Sequence, residues 1–149
     1  MDEGERLGRL YAFFNEVGII EQLARAMFEA KLPDGVTLPH FSVLSHLIRV
    51  EDGRTPLELA RAFQVPKTSM TNTLAGLEKR GLVEMRPNPD DGRSKRVWLT
   101  EAGRRFREEA VASLGPELAE MDAALDGARI AEMVPELERV RVWLDERRG

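Results

Sequence analysis

The chain is predicted to be mainly helical with one small β-hairpin, and three observations carry that prediction. Apolar residues recur at steps of three and four over most of the 149 residues, the stripe of amphipathic helices. Thr55-Pro56-Leu57-Glu58 is a capping box with proline at the first helical position. Two β-favouring runs, residues 82–86 and 95–99, carry apolar residues at alternate positions and flank a loop of Pro, Asn and Asp-Gly.

Taken in order, Leu7, Leu10, Phe14, Val17, Ile20, Ala24 and Met27 or Phe28 define a first helix, roughly seven turns at 3.6 residues each. It stops at Leu32-Pro33-Asp34-Gly35. Thr37 is the expected N-cap of a second helix with Pro39 in its first turn, and Phe41, Leu44, Leu47 and Ile48 form its buried face up to Asp52-Gly53. The capping box opens a short third helix, residues 56–63. After the turn Gln64-Val65-Pro66, a fourth begins at Lys67, buries Met70, Leu74 and Leu77, and ends at a C-cap, Gly81. Two short helices joined by a tight turn read as helix-turn-helix. Beyond the hairpin, Thr100 caps a helix expected to run from Glu101 to about Asp126 with a kink at Gly115-Pro116. A last helix carries Ile130, Met133 or Val134, Leu137, Val140 and Leu144, with Pro135 bending it or marking an irregular start.

Composition narrows the chemistry. There is no cysteine, which excludes disulfides, thiolate metal sites, cysteine nucleophiles and thiol-based sensing. Two histidines, His40 and His46, are too few for a His-rich metal site, so no metal and no cofactor are expected. No nucleophile and base spacing, Gly-rich phosphate loop or HExxH occurs, and Ser42, Ser45 and His46 meet only as neighbours on a helix; the chain is not expected to be an enzyme. The longest run free of charge, residues 35–48, is broken by Pro39 and falls short of the ~20 apolar residues a spanning helix needs. With an acidic start, Met1-Asp2-Glu3-Gly4-Glu5, a cytoplasmic protein away from membranes is expected.

The formal net charge of -4 counts, taken whole, against a nucleic-acid partner. Its distribution reverses that reading. Residues 1–53 carry 5 cationic and 9 anionic side chains, residues 54–107 carry 12 and 6, and residues 108–149 carry 5 and 11. On the helix from Lys67, the face opposite Met70, Leu74 and Leu77 presents Thr68, Asn72, Ala75, Gly76 and Lys79. Such a short polar face suits a major groove, where Asn bonds adenine and small residues allow close approach. Arg86, Arg93, Lys95 and Arg96 cluster on the hairpin directly after it. A basic hairpin beside a groove helix is a wing, whose Arg can enter the narrow minor groove. Asp91 is expected to orient Arg93 rather than to touch DNA.

These segments resemble the multiple antibiotic resistance regulator (MarR) family of dimeric winged-helix transcription factors. The resemblance runs through Thr37-Leu38-Pro39-His40-Phe41-Ser42-Val43-Leu44, Thr55-Pro56-Leu57-Glu58-Leu59-Ala60, Lys67-Thr68-Ser69-Met70-Thr71-Asn72 and Leu77-Glu78-Lys79-Arg80-Gly81-Leu82-Val83. Its most specific blocks are Asp91-Gly92-Arg93-Ser94-Lys95 and Leu99-Thr100-Glu101-Ala102-Gly103. It implies a single MarR-like domain over residues 1–149, with a winged helix-turn-helix lobe at 37–100 and a helical dimerisation region at 1–32 and 101–149, assembled as an intertwined homodimer on a pseudo-palindromic operator in double-stranded DNA. Family members often carry Arg where this chain has Asn72 and again near Gly76, so this groove helix is less cationic and the operator is expected to differ; where they carry a Ser or Asp N-cap this chain has Pro66, which removes the usual cap of the recognition helix.

The resulting DNA-contact set is Thr55, Lys67, Thr68, Ser69, Thr71, Asn72, Lys79, Arg86, Arg93, Ser94, Lys95 and Arg96. Leu10, Phe14, Val17, Leu118, Met121, Leu125, Val134, Leu137, Val140, Trp143 and Leu144 are expected to interlock across the two-fold axis. The resemblance also implies a pocket for a small aromatic or amphipathic effector, sought near Phe13, Phe14, His40, Phe41, Leu44, His46 and Met85. The expected activity is transcriptional repression relieved by that effector. The alternative is a winged-helix dimer serving as a protein-interaction module without DNA.

Overall fold

A computed structural model describes residues 1–148. Its elements are α1 (Glu3–Glu29), α2 (Leu38–Arg49), α3 (Pro56–Phe63), α4 (Lys67–Lys79), β1 (Val83–Pro87), β2 (Lys95–Leu99), α5 (Glu101–Ala112), α6 (Gly115–Ala124), α7 (Gly127–Glu132) and α8 (Val134–Asp145). They fall into two compact units, Met1–Ala112 and the segment from Ser113 onward. No helix among the described residues is long and apolar enough to cross a membrane.

In the first unit, α2, α3, α4 and the hairpin enclose one core. Val43, Leu44 and Leu47 meet Leu59 and Ala60, Met70, Leu74 and Leu77, and Leu82, Val83 and Val97, with Phe63, Met85, Leu99 and Phe106 packed against them. The buried side of α2 is turned slightly from the expected one: Val43 and His46 are buried with Leu44 and Leu47, while Phe41 and Ile48 are half-buried. α1 buries no residue; near its end, Phe28 lies against Phe41 of α2 with ring centroids 4.4 Å apart.

Local chemistry explains where the elements stop. α4 ends in a Schellman motif, with Gly81 at φ +71° and the N–H groups of Gly81 and Leu82 donating to the carbonyls of Glu78 (2.9 Å) and Leu77 (3.0 Å). Thr100 caps α5: its Oγ1 accepts from Gly103 N–H at 3.0 Å and donates to the Gly81 carbonyl at 2.7 Å. The strands pair antiparallel, Val83 with Leu99 and Met85 with Val97 toward the core, Glu84 with Trp98 and Arg86 with Arg96 on the other face. Arg54, two residues before α3, adds a third short edge, Val97 N–H donating to its carbonyl at 2.8 Å.

The second unit corrects two expectations. The helix foreseen from Glu101 to about Asp126 is two helices, since α5 stops at Ala112 and α6 starts at Gly115. Pro116 has no N–H, and its ring collides with the carbonyl four residues back, that of Ala112, so a break replaces the kink. Pro135 likewise separates α7 from α8 at Met133, the carbonyl four residues back being that of Ala131. No residue of α6, α7 or α8 is buried.

Candidate nucleic-acid interface

The reciprocal capping box predicted for α3 is present: Thr55 Oγ1 accepts from Glu58 N–H at 3.2 Å, and Glu58 Oε1 accepts from Thr55 N–H at 3.0 Å. That bond from Thr55 N–H, more than Arg54 or Arg96 nearby, holds the Glu58 carboxyl below its ordinary range. The helix ends at Gln64 in the left-handed region, φ 53°, and the chain turns through Val65 and Pro66 into α4. Pro66 supplies no side-chain cap there, leaving the first-turn amides of α4 without an internal side-chain acceptor.

Along α4, Met70, Leu74 and Leu77 point into the core. Lys67, Thr68, Ser69, Thr71, Asn72, Ala75 and Lys79 are exposed. The Thr71 hydroxyl donates to the Lys67 carbonyl at 2.9 Å and keeps its lone pairs free to accept. Gly76, expected on the outer face, faces inward: a Cβ there would come within 2.6 Å of His40 Nε2, so its small size serves the approach of α2 to α4. Thr55 and Ser94, expected to touch DNA, have hydroxyls engaged within the fold, Thr55 in its cap and Ser94 with Asn88 Nδ2 at 3.0 Å and the Asp91 carbonyl at 3.3 Å.

The wing places one carboxylate beside each of its arginines. Asp91 Oδ1 accepts from Arg93 N–H at 3.0 Å and Arg93 Nε at 3.3 Å, the orienting geometry foreseen for it. Arg86 pairs with Glu84 at 3.0 Å and Arg96 with Asp90 at 2.6 Å. Arg86 also stands 5.6 Å from the Trp98 ring. The Arg93 side chain is 93% exposed. Lys67, Lys79 and Lys95 enter no ion pair among the described residues.

Several residues that organise this surface carried no sequence signal strong enough to single them out. Asn88 is buried inside the loop, accepting from Asp90 N–H at 3.0 Å while its own N–H donates to the Ser94 carbonyl at 3.2 Å. Asp52 Oδ1 accepts from Leu99 N–H at 2.9 Å. Gly53, at φ +72°, lies under Trp98, whose ring would stand 2.5 Å from any added Cβ. Arg54 reaches His46 Nε2 at 3.1 Å and lies 3.7 Å from both Glu51 and Glu58.

The residues expected to line one effector pocket lie in several environments. Leu44 is fully buried in the core and Met85 packs against that core, from the inner faces of α2 and β1. His46 is buried beside Phe63, ring centroids 5.3 Å apart. His40 Nδ1 accepts from Thr37 N–H at 2.9 Å, doing for α2 what a glutamate does in a capping box. Phe41 meets Phe28 with the rings tilted at 56°, and Phe13 meets Phe14 edge to face at 5.3 Å on α1. Of the residues expected at a dimer interface, Leu10, Phe14, Val17, Leu118, Met121, Leu125, Val134, Leu137, Trp143 and Leu144 are exposed and Val140 is half-buried.

Comparison with known proteins agrees with this geometry. Residues 34–94 match the MarR family model. The chain is similar to apo wild-type MarR from E. coli, with 29% identity over 90% of this chain and 96% of that one, at a TM-score of 0.69. It is also similar to a crystallised MarR family transcription regulator, with 25% identity over 95% of both chains and a TM-score of 0.71. The transcriptional regulator BldR from Sulfolobus solfataricus shares the fold at 22% identity, covering 95% of this chain and 99% of that one at a TM-score of 0.74. With its helix-turn-helix and its paired wing, the chain has the winged-helix fold of these regulators and is similar to the MarR family over residues 34–94.

Proposed function

We propose that the protein is a homodimeric DNA-binding regulator in which α4 enters the major groove of each half-site and the hairpin approaches the flanking minor groove. One observation carries this reading: an exposed, short-chained polar face on α4, bounded by Lys67 and Lys79 without internal partners, stands next to a hairpin bearing Arg86, Arg93, Lys95 and Arg96. The Asn72 side chain makes no hydrogen bond among the described residues and has the paired donor and acceptor that adenine presents in reverse. Lys67, Lys79, Arg93 and Lys95 supply the phosphate contacts that fix register. Thr55 and Ser94 act through the backbone they brace.

Dimerisation is proposed to cover the apolar residues that α1 leaves in water, Leu23 at 68% exposure and Ile20 at 60% among them. Repression by occupancy of a promoter is the proposed output, with release by a small aromatic or amphipathic effector. The absence of cysteine leaves thiol oxidation out of that switch.

The test is a salt titration of binding to the duplex upstream of the protein's own gene, preceded by capture of genomic fragments on the purified protein. Affinity should fall steeply as salt rises, as counterions released from the backbone require. No retention of DNA at low salt refutes the reading in favour of a protein-interaction module. Sedimentation of a 16.8 kDa species at micromolar concentration refutes the dimer.

A further inference from the structure

The arginines of the wing are not equally held. Arg93 with Asp91 and Arg86 with Glu84 join residues two apart, and both arginines are more than half exposed; such pairs open at little cost. Arg96 is different. Its guanidinium crosses from β2 to the loop and meets Asp90 Oδ2 at 2.6 Å, with the Arg96 side chain 31% exposed. Asp90 is fixed in turn, because its N–H donates to Oδ1 of the buried Asn88. Glu58, at the start of α3, lies close enough for Arg96 to contribute to its charge balance. The guanidinium therefore has anionic company from both the loop and α3, while Asp90 itself stands 77% exposed near the tip of the wing.

Resting on the DNA-binding reading above, we propose that the Asp90 carboxylate is a latch on Arg96 that sets the sequence-independent affinity of the wing for DNA. A phosphate engaging Arg96 must displace a carboxylate already bonded to it. The displaced Asp90 is left charged beside the DNA backbone and draws back a cation, so one counterion fewer is released than the number of wing cations implies. Phosphate contacts carry no base information; the latch lowers affinity for cognate and unrelated duplexes by the same factor. Asp90 is a positioning residue that acts through Arg96.

The experiment compares wild type, Asp90→Asn, Asp90→Glu, Arg96→Ala and the double variant Asp90→Asn/Arg96→Ala on a labelled duplex of scrambled sequence, by anisotropy across a potassium chloride series. Trp98 emission checks that the wing keeps its fold. Asp90→Asn should bind roughly twofold to fivefold more tightly per lobe, the range of an exposed ion pair. Its plot of log affinity against log salt should steepen by about 0.9 per lobe. Asp90→Glu should resemble wild type, and the double variant should bind no more tightly than Arg96→Ala. Weaker or unchanged binding by Asp90→Asn overturns the latch, as does a gain that survives in the Arg96→Ala background, which is general charge removal. Wild type that binds no duplex at the lowest salt overturns the DNA-binding reading itself, and the latch with it.

Discussion

Gly103→Ala probes the joint that ties the wing to α5. A Cβ at Gly103 would press into the Leu82 carbonyl oxygen and lie 3.0 Å from both the Leu82 carbonyl carbon and Leu99 Cδ1. The first obstacle is backbone, so no rotamer change relieves it. Relief means lifting the first turn of α5, with its cap Thr100, off the hairpin, and two hydrogen bonds cross that joint: Thr100 N–H to the Leu82 carbonyl at 3.2 Å and Thr100 Oγ1 to the Gly81 carbonyl at 2.7 Å. At about 1 kcal/mol net for each bond, their loss costs about 2 kcal/mol. Alanine's helix preference over glycine returns somewhat under ~1 kcal/mol of that, leaving a destabilisation of about 1 kcal/mol. Urea unfolding followed by circular dichroism measures it, at one fixed protein concentration because the stability of the proposed dimer would depend on it. Propensity alone predicts the opposite sign. A variant as stable as wild type, with unchanged DNA affinity, refutes the assignment of Gly103 to this contact.

Further outcomes follow from the same coordinates. Arg93→Ala should weaken binding to every duplex and flatten the salt dependence by about 0.9 per lobe; unchanged affinity in a titration on cognate and scrambled duplexes removes Arg93 from the interface. Asn72→Ala should cost the cognate site about 1–3 kcal/mol and relax preference at one base, read by selection from randomised duplexes. Burial first, then Arg80, holds His40 below the ordinary 6.5, and burial, then Arg54 and Arg49, does so for His46. Unfolding exposes both to ordinary protonation, so the unfolded chain binds more protons. The stability they contribute is present above pH 6.5 and is lost as pH falls through the lowered folded values. Thermal melts across that window should show the loss, and a flat profile refutes the neutral, buried assignment.

What was legible in the sequence was what the chain decides locally. Thr55 with Glu58, Gly81 and Thr100 mark helix ends because each cap is closed by atoms a few residues away. The two strands of the hairpin and the Asp91 to Arg93 bond were likewise accessible from short spacing. Asp52, bonded to Leu99 across 47 positions, was not, since nothing near it in sequence announces the partner. Gly76 was assigned to the outer face by its angle alone. His40 arriving from α2 is what turns that position inward. Aromatic and apolar residues look alike in sequence whether they line a cavity or, as Leu44 does, fill a core.

The first helix also corrects a simpler expectation, a single apolar stripe, and the correction has consequences for assembly. At about 100° per residue, Leu7, Leu10, Tyr11, Phe14 and Val17 gather on one side of α1, whereas Ile19, Ile20, Leu23 and Met27 gather about half a turn away. Polar residues exchange sides with them: Arg9 and Glu16 lie opposite the first group, and the ion pair Glu21 to Arg25, at 2.6 Å, lies opposite the second. All nine apolar residues are exposed. One flat surface cannot cover both sides of a helix, so a partner chain that removes them from water must reach α1 from two directions along its length, as an intertwined dimer does. Leu10→Asp and Leu23→Asp, on opposite sides, should therefore each shift sedimentation toward the 16.8 kDa monomer, since each would bury an unpaired charge. If Leu23→Asp leaves the dimer intact while Leu10→Asp breaks it, the second apolar group is solvent-facing and the helix packs along one side only.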